Sequence, residues 1–164
     1  EFIEKSIRAY QWYAPACFNM YRRDFLLQNE LFFKVGIYFE DMQMLPRVFL
    51  AAQKIACMDG VFYHYVVREN SIMTSQKDTK KKNNSIQNLR EWKEQFDHVQ
   101  DAELRKILYG MLVKCYLHEC RVYGITKWEI DGVDFKFVVN NSLNFKEKIK
   151  GLLFALLPKC YVRV

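Results

Sequence analysis

Glycine and proline are scarce in this chain, six and three among 164 residues, while hydrophobic residues make up 51% and aromatics 16%. That balance excludes a disordered chain. It predicts one folded domain with a real core, in a chain too short for two comfortable ones. No apolar run approaches the roughly 20 residues needed to span a bilayer. The five cysteines, Cys17, Cys57, Cys115, Cys120 and Cys160, are odd in number, and none forms a C-x-x-C pair. Only His118 lies near Cys115 and Cys120, so zinc spacing is lacking, and reduced, mostly buried thiols in a cytoplasmic protein are expected. The opening stretch EFIEKSIRAY has no initiator Met, no signal-peptide apolar region and no basic leader. It reads as a natural or trimmed piece of a longer polypeptide.

Excess positive charge is missing from the first half. The net charge is +6, yet through Ser75 eight Lys/Arg meet eight Asp/Glu. From Gln76 onward 17 basic residues face 11 acidic ones, so the whole excess lies in the second half. Such a shift marks a change of partner or surface rather than of fold.

Apolar periodicity organises what is present. Phe2, Ile3, Ile7, Tyr10 and Tyr13 recur near helical spacing before Pro15. RRDFLLQN reads as a short helical turn closed by Asn29, LFFKVGIYF as extended chain or loop broken by Gly36, and the stretch from Glu40 to about Lys54 as a helix. Val61, Tyr63, Tyr65 and Val67 alternate with Phe62, His64, Val66 and Arg68 as on a strand, and Asp59-Gly60 is a turn signal able to pair it with KIACM. QKDTKKKNNS reads as a mobile, Lys-rich linker. Helical stripes follow: Ile86, Leu89, Trp92, Phe96 and Val99, then Leu104, Ile107, Leu108, Met111, Cys115 and Leu117, ending near Tyr123-Gly124. KWEIDGVDFKFVV is ambiguous. A last amphipathic helix runs to Pro158.

Glu40 and Asp41 stand side by side in an apolar stretch, and two readings are open. Acidic residues suit a helix start, where unpaired amides and the positive dipole end face them. Neighbours on a helix also diverge by about 100°, so one carboxylate can anchor backbone while the other faces a cleft as a general base. Pro46 has no amide proton for the Met42 carbonyl, so a helix from Glu40 must kink there or begin later.

Residues 16 to 75 resemble the second half of a bacterial family 2 glycosyltransferase catalytic domain. The likeness rests on MYRRDFL, an aromatic-Gly lead into FED, and FYHYVVRENSIM about 20 residues later, in this order and spacing. It covers a little over a third of the chain, and the tail from Gln76 matches nothing in the family. The resemblance implies inverting transfer of a sugar from a nucleotide-diphosphate donor to an acceptor hydroxyl on a glycan or lipid-linked acceptor, in cell-surface polysaccharide or glycan synthesis. It gives Asp41 the role of catalytic base and Glu40 that of holding the loop or touching the acceptor. Arg68 and Ser71 match a segment beside the donor diphosphate, where a guanidinium and a hydroxyl can bond phosphate oxygens. His64 joins them as a metal or phosphate partner, or is a hydrogen-bonded core residue. Tyr21, Arg22 and Arg23 follow the family's segment, but Asn19 stands where many relatives carry Lys.

The resemblance also implies a divalent metal, Mn or Mg, held through an Asp-x-Asp motif. This chain has none, and Asp131 and Asp134 are separated by two residues. The donor and metal half is thus expected upstream of Glu1, and the chain alone is expected to be inactive. The expected fold class is α+β, mainly helical: the C-terminal part of a GT-A-like nucleotide-sugar transferase domain joined to a helical extension. The expected division is 1–75 as the acceptor-side half, 76–84 as linker and 85–164 as the extension.

Lys77, Lys80, Lys81 and Lys82 lack interleaved aromatics, so no nucleic-acid partner is expected. In the terminal helix Phe145, Ile149, Leu152, Leu153, Leu156 and Leu157 are ringed by Lys146, Lys148, Lys150, Lys159 and Arg163. That pattern allows peripheral contact of 145–164 with an anionic membrane, at the inner face of the cell membrane, or packing on the preceding helices. The competing reading of the whole chain is a non-enzymatic helical module that binds a membrane surface or a partner protein.

Overall fold

A computed structural model describes residues 3, 5, 7, 15–56, 60–69, 71–72 and 78–163. Ile3, Lys5 and Ile7 are helical, as the N-terminal periodicity predicts; the remainder of that helix, and Cys57 to Asp59 of the expected hairpin, lie outside the described residues.

A 3-10 turn, Ala16–Phe18, precedes α1 (Arg23–Gln28), which Asn29 closes as expected. The 31–39 segment is loop, and α2 (Glu40–Ala51) follows. α3 (Thr79–Asp97) and α4 (Ala102–Tyr123) form the largest helix pair, followed by α5 (Phe135–Asn141), α6 (Phe145–Leu156) and α7 (Pro158–Tyr161). The protein is therefore mainly helical. Among the described residues there is no strand, which corrects the β part of the expected class. Residues 61–68 carry strand-like alternation, but no described segment pairs with them. A lone strand leaves its N–H and C=O groups without a ladder, and these residues lie exposed to water instead.

Side-chain caps set the helix starts. The Asp78 carboxylate accepts from the Lys81 amide, Asp101 from the Glu103 and Leu104 amides, Asp134 from Phe137 and Asn144 from Glu147. Asp78 accounts for a second correction. The Lys-rich stretch expected to be a linker is helical from Thr79 onward, because the cap starts α3 two turns ahead of its first buried apolar residue, Ile86. Gly124, at φ +65°, supplies the left-handed close of α4, and the Ile125 amide donates to the Cys120 carbonyl at 2.8 Å.

The core forms where the α3 and α4 stripes meet. Leu89, Trp92 and Phe96 pack with Leu112, Val113, Tyr116 and Cys120, all completely buried. Both expected stripes are present, and that of α4 is wider because α5 and α6 cover its other sides. Tyr116 stacks on Trp128, and Phe154 meets both rings edge-on, which docks α6. At Gly151 a Cβ would collide with the Val138 side chain, so glycine permits the close approach of α6 to α5. The Tyr161 hydroxyl donates to the Leu117 carbonyl at 2.9 Å and fixes α7.

The four described cysteines are free thiols. Cys120 is buried, and burial pushes its thiol up to about 12. Cys17 and Cys160 are exposed, against the expectation of mostly buried thiols. No described helix is long and apolar enough to cross a membrane.

Candidate functional site

Helix α2 begins at a strained residue. Phe39 adopts the left-handed conformation, φ 62° and ψ 38°, which costs a bulky side chain about 1–3 kcal/mol. Two asparagines of α3 hold it there. The Tyr38 amide donates to Asn84 Oδ1 at 2.9 Å, and Asn88 Nδ2 donates to the Phe39 carbonyl at 2.9 Å. At the other end of the same loop, the Arg47 guanidinium donates to the Glu30 and Phe32 carbonyls. The chain entering α2 is thus gripped at both ends.

Pro46 does not end the helix; α2 continues through it. The Met42 carbonyl that Pro46 leaves without an amide accepts from Trp92 Nε1 at 3.0 Å. Beside it, Gln43 Nε2 donates to Glu91 Oε2 at 2.8 Å, and the Lys34 ammonium pairs with Glu91 Oε1. Asn84, Asn88, Glu91 and Trp92 fall at i, i+4, i+7 and i+8, one face of α3 turned on the start of α2.

Burial raises the Glu91 carboxyl, but bonds from Lys34, Gln43 and Gln87 outweigh it, and the net effect holds the group below its ordinary value. A carboxylate depressed in the fold stabilises it above the unfolded value and loses that contribution as pH falls through the folded one. Wild-type stability relative to Glu91→Gln is therefore expected to decline as pH drops below about 4.5. Urea midpoints across that range check this, and a constant difference between the two proteins would refute it.

Asp41 occupies the first turn of α2, half-buried. Its Oδ1 accepts from the Met42 amide at 2.7 Å, and the nearby Ala16 amide also favours the charged carboxylate. Burial nevertheless dominates and, with the Glu40 charge beside it, pushes the Asp41 carboxyl above its ordinary value. The Tyr21 hydroxyl is raised too, first by burial and then by the Asp41 charge. Asp41 thus accepts one amide of the helix start, and its charge is partly desolvated.

The 3-10 turn links Asp41 to the second part of the expected site. Ala16 lies near Asp41, while Cys17 and Phe18 lie against the 60s segment. Phe18 meets Tyr63 edge-on at 5.9 Å between ring centres and Tyr65 at 6.0 Å. The Tyr63 hydroxyl is raised chiefly by the neighbouring Cys17 thiol, with Arg68 acting in the opposite direction. Phe18 of the 3-10 turn thus packs on the segment that carries Arg68. His64 and Arg68 are exposed, Glu40 and Ser71 half-buried. Ser71 precedes Ile72, whose carbonyl accepts from the buried Lys81 Nζ at 2.8 Å.

No three His, Cys, Asp or Glu side chains gather at metal-binding distance among the described residues. Glu40 and Asp41 are two diverging carboxylates, so the described residues do not by themselves make a Mn or Mg site. The tail residues that hold α2, and the Cys17, Phe18 and Tyr63 cluster, escape sequence reasoning. One signal did point to them: the orphaned Met42 carbonyl demands a donor, and Trp92 is an indole N–H on an amphipathic helix. Comparison of the chain with protein-family models, curated proteins and solved structures found no match.

Proposed function

We propose that this chain is the acceptor-side part of an inverting nucleotide-sugar transferase of the family 2 type, with Asp41 as its base. The observation that carries the reading is the Asp41 carboxylate itself: half-buried, raised by desolvation, and placed behind a strained, doubly clamped Phe39. Strain of this kind persists where surrounding structure over-determines it, and such positions cluster at working sites.

In the proposed reaction the acceptor hydroxyl gives its proton to Asp41 as its oxygen bonds the anomeric carbon. The bond from that carbon to the donor diphosphate breaks on the opposite side, and a nucleoside diphosphate leaves. A base raised above its ordinary value takes that proton more readily than an ordinary carboxylate. Arg68 and Ser71 serve the diphosphate side, where a guanidinium offsets leaving-group charge; His64 stands beside them as a further phosphate contact. Glu40 faces the acceptor or holds the loop. The implied metal would draw its main ligands from outside these residues.

Acceptor-dependent release of nucleoside diphosphate by the full gene product, assayed across nucleotide-sugar donors, tests the reading. Release with one donor class supports it. Absence of release with every donor, together with an upstream coding sequence free of any Asp-x-Asp, would overturn it.

A further inference from the structure

We infer that the outer face of α6 is a docking surface for an anionic lipid bilayer. The helix has two unlike faces. Glu147, Gly151 and Phe154 point inward, and Phe154 is locked among Tyr116, Trp128 and Tyr161. Phe145, Ile149, Leu152 and Leu156 recur at i, i+4, i+7 and i+11, within an arc of about 60° on the opposite side. All four are exposed, Phe145 at 76% and Leu156 at 69%. Water-facing residues of a helix packed only on its own domain are normally polar; here the core has taken one face and left a second apolar stripe uncovered.

Charge decides what covers it. Lys146 and Lys148 flank the stripe on either side and are exposed, and Lys159 in α7 and Arg163 just beyond it are exposed too. From Phe145 to Arg163 the only acidic residue is Glu147, and it is buried on the inward face. Among residues 145 to 163 the outer face is thus apolar at its centre and cationic at its rim. A second copy of the chain, docked stripe to stripe, would set lysine against lysine, since a two-fold contact presents the same patch twice. An anionic headgroup layer meets both requirements, with acyl chains for the stripe and phosphates for the rim. The surface does not depend on the transferase reading.

Removing residues 145 to 164 would also strip Phe154 and Tyr161 from the core, so exposed point substitutions are the cleaner test. The whole chain is co-sedimented at low salt with phosphatidylcholine vesicles containing roughly a third phosphatidylglycerol, and with pure phosphatidylcholine. Binding to the anionic vesicles is expected, at least about tenfold weaker to the neutral ones. Ile149→Asp with Leu156→Asp should abolish it, and Lys146→Gln with Lys148→Gln should weaken it about tenfold. Circular dichroism identical to wild type establishes that each variant is folded, and the lysine pair, wholly at the surface, keeps the test decisive should the aspartates unfold α6. No sedimentation with anionic vesicles, equal binding to both lipids, or variants that bind like wild type would overturn the proposal. So would a dimer in analytical ultracentrifugation that Ile149→Asp dissociates.

Discussion

Asp41→Asn in the full gene product is expected to lower turnover by about 10²- to 10⁴-fold, the usual contribution of a positioned general base. Donor affinity should change little, because proton removal is an interaction of the transition state. The substitution separates the two roles that one carboxylate combines. Asparagine keeps an oxygen able to accept from the Met42 amide, so the start of α2 should survive. Stability should not fall at neutral pH. Burial raises Asp41 above 3.8, so its ionised form opposes folding as pH rises through that range, and asparagine removes this penalty. The acidic limb of kcat/KM in the wild type should likewise lie above 3.8. Near-full turnover in the variant would reduce Asp41 to a helix-start residue.

Trp92→Ala is expected to cost about 3–5 kcal/mol, a drop in Tm on the order of 10 °C for a chain of this size. The residue is completely buried at the α3–α4 junction and also caps the Met42 carbonyl. A double-mutant cycle isolates the second contribution. Trp92→Phe keeps much of the ring but strands the carbonyl, at about 1–3 kcal/mol. Pro46→Ala restores a backbone amide four residues along, which can donate to that same carbonyl. Trp92→Phe should therefore cost measurably less in the Pro46→Ala background than alone, with a coupling of about 0.5 kcal/mol or more from urea denaturation. An equal cost in both backgrounds would show that the indole bond adds nothing to stability. If the coupling is present, the tail helix supports the acidic pair directly, and loosening it should impair the site without touching Asp41.

Local chemistry was legible wherever its cause lies within a few residues. The turn closed by Asn29, the helix from Glu40, the stripes of α3 and α4 and the Gly124 stop all rest on caps and on spacing near 3.6. The strand expected at 61–68 failed because alternation describes one chain while a strand needs two. The Lys-rich linker failed because a polar first turn carries no apolar period. Its signal was a capping aspartate, Asp78, and two of its lysines are held internally: Lys81 bonds the Ile72 carbonyl and Lys82 pairs with Glu129.

The sequence by itself determined that Glu40 and Asp41 open a helix and that Pro46 must leave the Met42 carbonyl without its amide. Only the tertiary structure decided the consequences. Trp92, fifty positions away, supplies the missing donor, and Asn84 and Asn88 hold Phe39 in its strained turn. Phe18 in the Ala16–Phe18 turn packs against Tyr63 and Tyr65 of the 60s segment. The physical reason is the range of the interactions. A cap or an orphaned carbonyl is fixed by covalent neighbours, whereas the group that satisfies it, and the desolvation that raises a carboxylate, depend on which distant helix face packs against it.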